Sequence, residues 1–106
     1  MKKAYVFLAY GFEEVEALTV VDLLRRAGIE VITVSMSTNN IISGAHKIPV
    51  VTDIKIDECV MCDADAIIIP GGQPGVDNLK ACEKMQKVIK FNYKKDKLIC
   101  AICAAP

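Results

Sequence analysis

The segment Ala101-Ile-Cys-Ala-Ala105 places a cysteine between small residues, directly after a short apolar run. This arrangement is typical of a nucleophile elbow, a sharp strand-to-helix turn that holds its central residue in a strained backbone conformation and excludes bulky neighbours. The pattern predicts that the Cys103 thiol projects from the sheet beside free backbone N–H groups, which favour the reactive thiolate. A buried, unreactive cysteine at an alanine-rich strand end is the alternative.

A second candidate is the turn Pro70-Gly71-Gly72, which follows another apolar run. In open α/β sheets ligands bind at the carboxyl ends of the strands, and glycines let backbone amides approach a ligand closely. The N–H groups of Gly72 and Ala104 are therefore candidate donors to an oxyanion that faces Cys103. The alternative is an ordinary βα turn. The spacing does not match a phosphate- or dinucleotide-binding loop.

Three carboxylates, Glu13, Glu14 and Glu16, follow the first apolar run. Acidic residues in a first helical turn usually cap free N–H groups and complement the helix dipole, which is the role we expect for Glu13 and Glu14. Glu16 lies beside apolar positions and is a candidate for a carboxyl that points into the crevice. Beside a thiol, such a carboxyl stays protonated and donates a hydrogen bond to the thiolate.

Two CxxC pairs, Cys59-Val-Met-Cys62 and Cys100-Ala-Ile-Cys103, raise the question of a zinc site. The pairs are separated by 37 residues, above the usual range of about 15–20. Strand alternation directs Cys100 and Cys103 to opposite faces, which also argues against a thioredoxin-like dithiol. We therefore expect no metal and no cofactor. Three thiols are interpreted as small hydrophobic or surface groups: Cys59, Cys62 and Cys82.

Apolar periodicity predicts the elements that position these residues. The predicted strands are Lys3–Ala9, Ile29–Met36, Ala64–Ile69 and Lys97–Ile102, and the predicted helices are Glu13–Ala27 and Leu79–Tyr93. A hairpin is predicted within Asn39–Asp53, at a sheet edge because of Pro49. The sole histidine, His46, lies in it and is expected to be an exposed loop residue. One or two helical turns are predicted around Asp57–Asp63.

Strands that alternate with helices predict a parallel sheet covered by helices on both faces. The expected fold class is α/β, a flavodoxin-like doubly wound sheet of about four strands, formed by residues 1–106 as a single domain. The last strand has no following neighbour or helix, so an apolar edge is expected to be exposed. We therefore expect the chain to be the N-terminal portion of a longer domain, or one piece of a cleaved one.

Composition excludes several classes of protein. The chain has 106 residues, 53% of them hydrophobic, with 13 basic and 13 acidic side chains. This is too apolar for disorder, and the balanced charge argues against nucleic-acid binding. No apolar run is long enough to span a membrane. Five cysteines, an odd number, without an export signal favour a reducing, cytoplasmic location.

Three segments in order, Gly11-Phe-Glu-Glu-Val-Glu16, Ile69-Pro-Gly-Gly-Gln-Pro-Gly75 and Ala101-Ile-Cys-Ala-Ala-Pro106, resemble the ThiJ/PfpI superfamily. The likeness is to the branch that holds the Parkinson-disease protein deglycase and its bacterial relatives. The resemblance implies a flavodoxin-like sandwich that forms a homodimer and needs no metal. It also implies polypeptide beyond Pro106, either in the same chain or in a second chain that carries the C-terminal part.

The resemblance also assigns roles to individual residues. It implies that Cys103 is the nucleophilic, easily oxidised cysteine and that Glu16 is its protonated carboxyl partner. The oxyanion-binding amides would be those of Gly72 and Ala104. A histidine near the cysteine often comes from the downstream part of such proteins.

Three functions follow from the resemblance. The first is a cysteine-dependent glyoxalase or protein deglycase that acts on small aldehydes such as methylglyoxal or on early glycation adducts of proteins. The second is a redox-sensing or chaperone-like stress-response protein that works through oxidation of Cys103. The third is a cysteine peptidase or amidase, which needs a base near Cys103. A thiazole-monophosphate biosynthesis label is common among bacterial sequences of this kind, but no residue here explains it.

Overall fold

The computed structural model of the protein describes residues 2–59 and 63–106. The strands in these residues are β1 (Lys3–Leu8), β2 (Glu30–Ser35), β3 (Ile41–Ser43), β4 (Pro49–Val51), β5 (Ile54–Lys55), β6 (Ala66–Ile69) and β7 (Leu98–Ala101). The α-helices are α1 (Glu14–Arg26), α2 (Gln73–Lys80) and α3 (Glu83–Lys94), and a single 3₁₀ turn spans Ile56–Glu58.

Five strands form the central sheet, which is parallel throughout, in the order β5-β2-β1-β6-β7. The chain moves from β1 to β2 in one direction and later adds β6 and β7 on the opposite side of β1. The topological switch point therefore lies between β1 and β6, where the loops after these strands open a crevice for ligands. Cys103 follows β7, the strand beside β6, and therefore lies at the same carboxyl ends of the strands as this crevice.

Side chains of β1 alternate between two apolar layers, as expected for a strand buried on both faces. Tyr5 and Phe7 belong to the layer formed with α2 and α3, together with Met85. Val6 and Leu8 belong to the layer beneath α1. This arrangement confirms the predicted doubly wound fold, with α1 on one face of the sheet and α2 and α3 on the other.

The predicted single helix Leu79–Tyr93 is wrong in its extent, because the structure has two helices there. Cys82 has an extended backbone, with φ −95° and ψ 115°, and separates α2 from α3. The sequence Gln73-Pro-Gly-Val gives little helical signal. Pro74 nevertheless fits the first turn of α2, where its missing N–H has no helical partner. Gly75 lets α2 pack against the backbone of Phe12, which a Cβ would approach to 2.8 Å.

The predicted hairpin is present, but it forms a separate two-stranded antiparallel sheet, β3-β4, and not an edge of the central sheet. The edge beside β2 is instead the short strand β5, which was not predicted. With it, the central sheet has five strands where about four were expected. Two residues carry too little periodicity to identify a strand. Of the helical turn predicted around Asp57–Asp63, the structure has the 3₁₀ turn; residues 60–62 lie outside the described part.

The sheet edge at β7 is exposed, as predicted. This strand pairs with β6, and Leu98 is 62% exposed. On the α1 face, a cavity of about 380 Å³ is lined mainly by apolar side chains, including Ala4, Leu24, Ile68 and Leu98. No helix within residues 2–59 and 63–106 is long and apolar enough to cross a membrane.

Candidate functional site

Cys103 occupies a sharp bend directly after β7. Its φ is +58°, in the left-handed region that a side chain with a Cβ disfavours, and its side chain is exposed. A hydrogen bond of 3.0 Å from Ala105 N–H to the Ile102 carbonyl closes the turn around it. The strained strand-end conformation expected of an elbow is therefore present, and the thiol is presented outward.

Glu16 and Gly71 meet at this bend. Glu16 Oε1 accepts a hydrogen bond from Gly71 N–H at 3.0 Å, and its side chain is half-buried. A Cβ placed on Gly71 would lie 2.3 Å from Glu16 Oε1 and 2.9 Å from Cys103 Cβ. The Glu16 carboxyl, the Gly71 backbone and the Cys103 side chain therefore share one small space, which a glycine keeps open.

The sheet register explains why these loops converge. Ile69 at the end of β6 pairs with Ala101 at the end of β7, so Gly71 and Cys103 each lie two residues beyond a paired position. Parallel strands end at the same edge, and the turns that follow them are neighbours. Residues 32 positions apart in the chain are thereby adjacent.

Gly72 and Ala104 belong to the same pair of turns. Gly72 is the N-cap of α2 with φ +93°, and a Cβ there would lie 2.6 Å from the Gly11 carbonyl oxygen. Ala104 is half-buried and follows Cys103. In the described part of the chain, neither amide N–H has a backbone acceptor. Both are thus available as donors at this edge.

The loop between β1 and α1 is tied to the Gly71 turn by backbone hydrogen bonds. Glu13 N–H donates to the Gly71 carbonyl at 2.9 Å, and Gly75 N–H donates to the Gly11 carbonyl at 3.2 Å. Glu13 is the N-cap of α1, and its side chain accepts from Val15 N–H, which is the capping role predicted for it. These bonds fix where α1 starts and therefore where Glu16 lies.

Glu14 departs from the expected role of a simple helix-end carboxylate. It is 4% exposed and accepts hydrogen bonds from His46 N–H at 2.8 Å, from the His46 ring Nδ1 at 2.9 Å and from Ile48 N–H at 3.3 Å. His46 is in the exposed hairpin loop, as predicted, but its ring is hydrogen-bonded to the Glu14 carboxylate. Only the tertiary contact reveals this pair, since 32 residues separate its members.

The electrostatics of the pair follow from these contacts. Burial alone raises the pKa of Glu14, but the hydrogen bonds from the His46 ring and from backbone N–H groups outweigh it, so the pKa is lowered from its ordinary value. The hydrogen bond to Glu14, followed by the negative charge of Glu13, raises the pKa of His46. Both shifts favour a charged pair.

Glu13, Glu14 and His46 also have ligand atoms within 4.8 Å of one another, the spacing of a metal site. However, both Glu14 oxygens already accept N–H hydrogen bonds. We therefore interpret this group as a hydrogen-bonded contact between α1 and the hairpin loop.

Among the cysteines that the structure describes, Cys103 alone is exposed, whereas Cys59, Cys82 and Cys100 are half-buried. Burial, followed by the charge of Asp63, raises the pKa of the Cys59 thiol to about 11. The partial burial of Cys59 against the apolar core agrees with its interpretation as a small hydrophobic group. Cys62 lies outside the described residues, so the interpretation of the first CxxC pair stays a prediction.

A family model described as the DJ-1/PfpI family matches residues 2–106. The chain belongs to this family. Protein DJ-1 homolog B of Arabidopsis thaliana is 34% identical over 105 residues, 99% of this chain and 24% of that protein. Glutathione-independent glyoxalase DJR-1.2 of Caenorhabditis elegans is 35% identical over 96 residues, 89% of this chain and 50% of that protein.

The solved structure of oxidized Toxoplasma gondii DJ-1 superposes with a TM-score of 0.95 at 36% identity, covering all of this chain and 58% of that one. These matches confirm the recognised family and the fold. The chain spans a quarter to somewhat over half of the length of these DJ-1/PfpI proteins, and it corresponds to their N-terminal portion.

Proposed function

We propose that Cys103 is the nucleophile of a glyoxalase or protein deglycase that acts on reactive aldehydes. The observation that carries the proposal is the meeting of an exposed thiol, held in a left-handed bend, with the Glu16 carboxyl on Gly71 N–H. A DJ-1/PfpI relative in C. elegans bears the name glutathione-independent glyoxalase, which supports this substrate class.

In the proposed reaction the Cys103 thiolate attacks the aldehyde carbon of methylglyoxal and forms a hemithioacetal. The N–H groups of Gly72 and Ala104 hold the developing oxyanion. Glu16 removes the proton from the former aldehyde carbon and returns it to the neighbouring carbon, which leaves a thioester of lactate. Water cleaves the thioester and releases lactate and the thiol. One substrate carbon is oxidised and its neighbour is reduced, so no external oxidant takes part.

The contact with Gly71 suggests how the two Glu16 oxygens divide their tasks. Oε1 accepts the Gly71 N–H, so we assign the transferred proton to Oε2.

A second candidate is a redox sensor in which peroxide oxidises Cys103 to the sulfinate. Exposure of this thiol beside a carboxyl favours it, and the solved Toxoplasma gondii relative is an oxidized form. The peptidase hypothesis gains no support from the sole histidine, because the His46 ring is bonded to Glu14.

Substitution of Cys103 by serine tests both candidates in the purified protein. Methylglyoxal consumption with lactate release in the native chain, and its loss in Cys103→Ser, is the result expected of the enzyme. No turnover, together with a mass gain of two oxygens at Cys103 in mild peroxide, would replace the enzyme with the sensor. Turnover retained in Cys103→Ser would refute the mechanism.

We also propose that the protein is a homodimer. Apolar side chains are exposed on α1 and on the neighbouring hairpin, among them Val15 (71%), Ile48 (49%) and Val51 (69%). Exposed apolar side chains are a common feature of the interfaces between subunits. Sedimentation of the purified protein at several concentrations tests this assembly.

A further inference from the structure

The Glu14 carboxylate contacts the hairpin loop through both of its oxygens. Oε2 accepts the backbone N–H groups of His46 and Ile48, and Oε1 bonds the His46 ring. Gly44 packs directly on this carboxylate, since a Cβ there would lie 2.3 Å from Glu14 Cδ. A buried carboxylate with three donors is much more firmly held than an exposed helix-end residue.

Backbone hydrogen bonds extend this contact to the loop that starts α1. Gly11 N–H donates to the Ser43 carbonyl at 3.0 Å, and Ala45 N–H donates to the Phe12 carbonyl at 2.8 Å. The hairpin loop therefore holds the β1–α1 loop on one side, while Gly71 holds it on the other through Glu13 N–H.

Glu14 and Glu16 lie two residues apart in the first turn of α1, a rotation of about 200° around the helix axis. They consequently project to opposite sides, Glu14 toward the hairpin loop and Glu16 toward Gly71 and Cys103. If the first turn of α1 shifts so that the contact of Glu14 with the hairpin loop is loosened, the Glu16 carboxyl is displaced relative to Gly71 and Cys103.

We propose that Glu14 and His46 are positioning residues for the candidate site, because their contact fixes the first turn of α1 and thereby the distance of the Glu16 carboxyl from Cys103. This inference rests on the proposed function in one respect, namely that Glu16 controls the reactivity of the Cys103 thiol. Neither Glu14 nor His46 takes part in the chemistry itself.

The test is a double-mutant cycle read by alkylation of Cys103 with iodoacetamide at pH 7 and quantified by mass spectrometry of the full chain. We expect Glu16→Ala to lower the rate about tenfold, because this variant lacks the carboxyl that is proposed to donate a hydrogen bond to the Cys103 thiolate. We expect Glu14→Ala to lower it at least threefold. In the Glu16→Ala background, we expect Glu14→Ala to have no further effect, since Glu14 acts through Glu16.

Glu14→Gln separates the geometry of the contact from its charge. Its carbonyl oxygen is able to accept the two backbone N–H groups, and its amide nitrogen is able to donate to Nδ1 of a neutral His46. We expect this variant to recover more than half of the native rate. Asp22→Ala is the matched control, because Asp22 lies on the same helix about 12 Å further along and pairs with Arg26. Its alkylation rate should equal that of the native chain.

The outcomes separate two failures. An unchanged rate in Glu16→Ala contradicts the proposed role of Glu16 and hence the proposed function. A reduced rate in Glu16→Ala with no change in Glu14→Ala, or with additive losses in the double variant, overturns the positioning role alone. If Glu14→Ala does not fold, His46→Ala replaces it in the same cycle, since the exposed ring contributes one of the three donors.

Discussion

Replacement of Gly71 by alanine is the most direct perturbation of the candidate site. The backbone of Gly71 is outside the left-handed region, so alanine is compatible with its conformation. Its Cβ, however, would lie 2.3 Å from Glu16 Oε1, 2.9 Å from Cys103 Cβ and 3.1 Å from the Ile102 carbonyl oxygen. The new methyl group would therefore clash with the Glu16 carboxyl and with the Cys103 side chain.

The size of the effect follows from these distances. Normal contacts of a carbon atom begin near 3.5 Å, so the Glu16 carboxyl has to move by about 1 Å or more. That displacement breaks its 3.0 Å hydrogen bond with Gly71 N–H. We expect Cys103 alkylation at pH 7 to slow about tenfold and any methylglyoxal turnover to fall about 100-fold. Overpacking should lower the free energy of unfolding by about 1–3 kcal/mol.

The assay measures alkylation of Cys103 by mass spectrometry, with Cys82 in the same molecule as the internal reference. Gly28→Ala is the matched control. Gly28 has φ +83°, but no atom lies within 4 Å of a Cβ placed there. Alanine at this position should cost about 1–2 kcal/mol of stability and leave Cys103 unaffected. Equal rates of Cys103 alkylation in Gly71→Ala and in the native chain would show that the position of the Glu16 carboxyl does not affect the reactivity of the Cys103 thiol.

Two further predictions concern the titrating groups. The raised pKa of His46 stabilises the folded state fully below its ordinary value of 6.5, and this contribution is lost as pH rises through the folded pKa. The lowered pKa of Glu14 stabilises the folded state above its ordinary value of 4.5, and this contribution is lost as pH falls through the folded pKa. Thermal unfolding should therefore show the largest difference between the native chain and His46→Ala between about pH 4.5 and 6.5, and a pH-independent difference would contradict the pairing. Because the pKa of Cys59 is raised from 9.0 to about 11, its alkylation at pH 8 should be about 100-fold slower than that of an ordinary thiol. Rapid labelling of Cys59 in the folded protein would show that the thiol is not buried.

Most of the fold could be predicted because its strands are local apolar runs and its first helix has clear end signals. β1, β2, β6 and β7 lie within the predicted ranges. Helix α2 was missed because Pro74 and Gly75 resemble a turn when read in isolation. Its helical form depends on a glycine that packs against Phe12, which no local pattern reports.

The candidate site was predictable to a similar degree. The small residues around Cys103 indicated the bend, and the Gly-Gly pair indicated a close backbone approach. The sequence predicts Gly72 as the functional amide and gives no separate signal for Gly71, whose N–H donates a hydrogen bond to Glu16. From its position in the first turn of α1, Glu14 is predicted to be a helix-end carboxylate, although the structure has it buried against the hairpin loop.

The amino-acid sequence by itself determined the order of the elements, the two-sided burial of the central strands and the identity of Cys103 as the residue at a strained turn. These features depend on neighbours within a few positions, where sterics and apolar periodicity act. Glu16 was already a candidate from the sequence, but tertiary structure alone showed that it lies on Gly71 beside Cys103 and that Glu14 is buried against the hairpin loop. This arrangement depends on the register of β6 with β7 and on loops more than 30 residues apart, which meet only when the sheet is assembled.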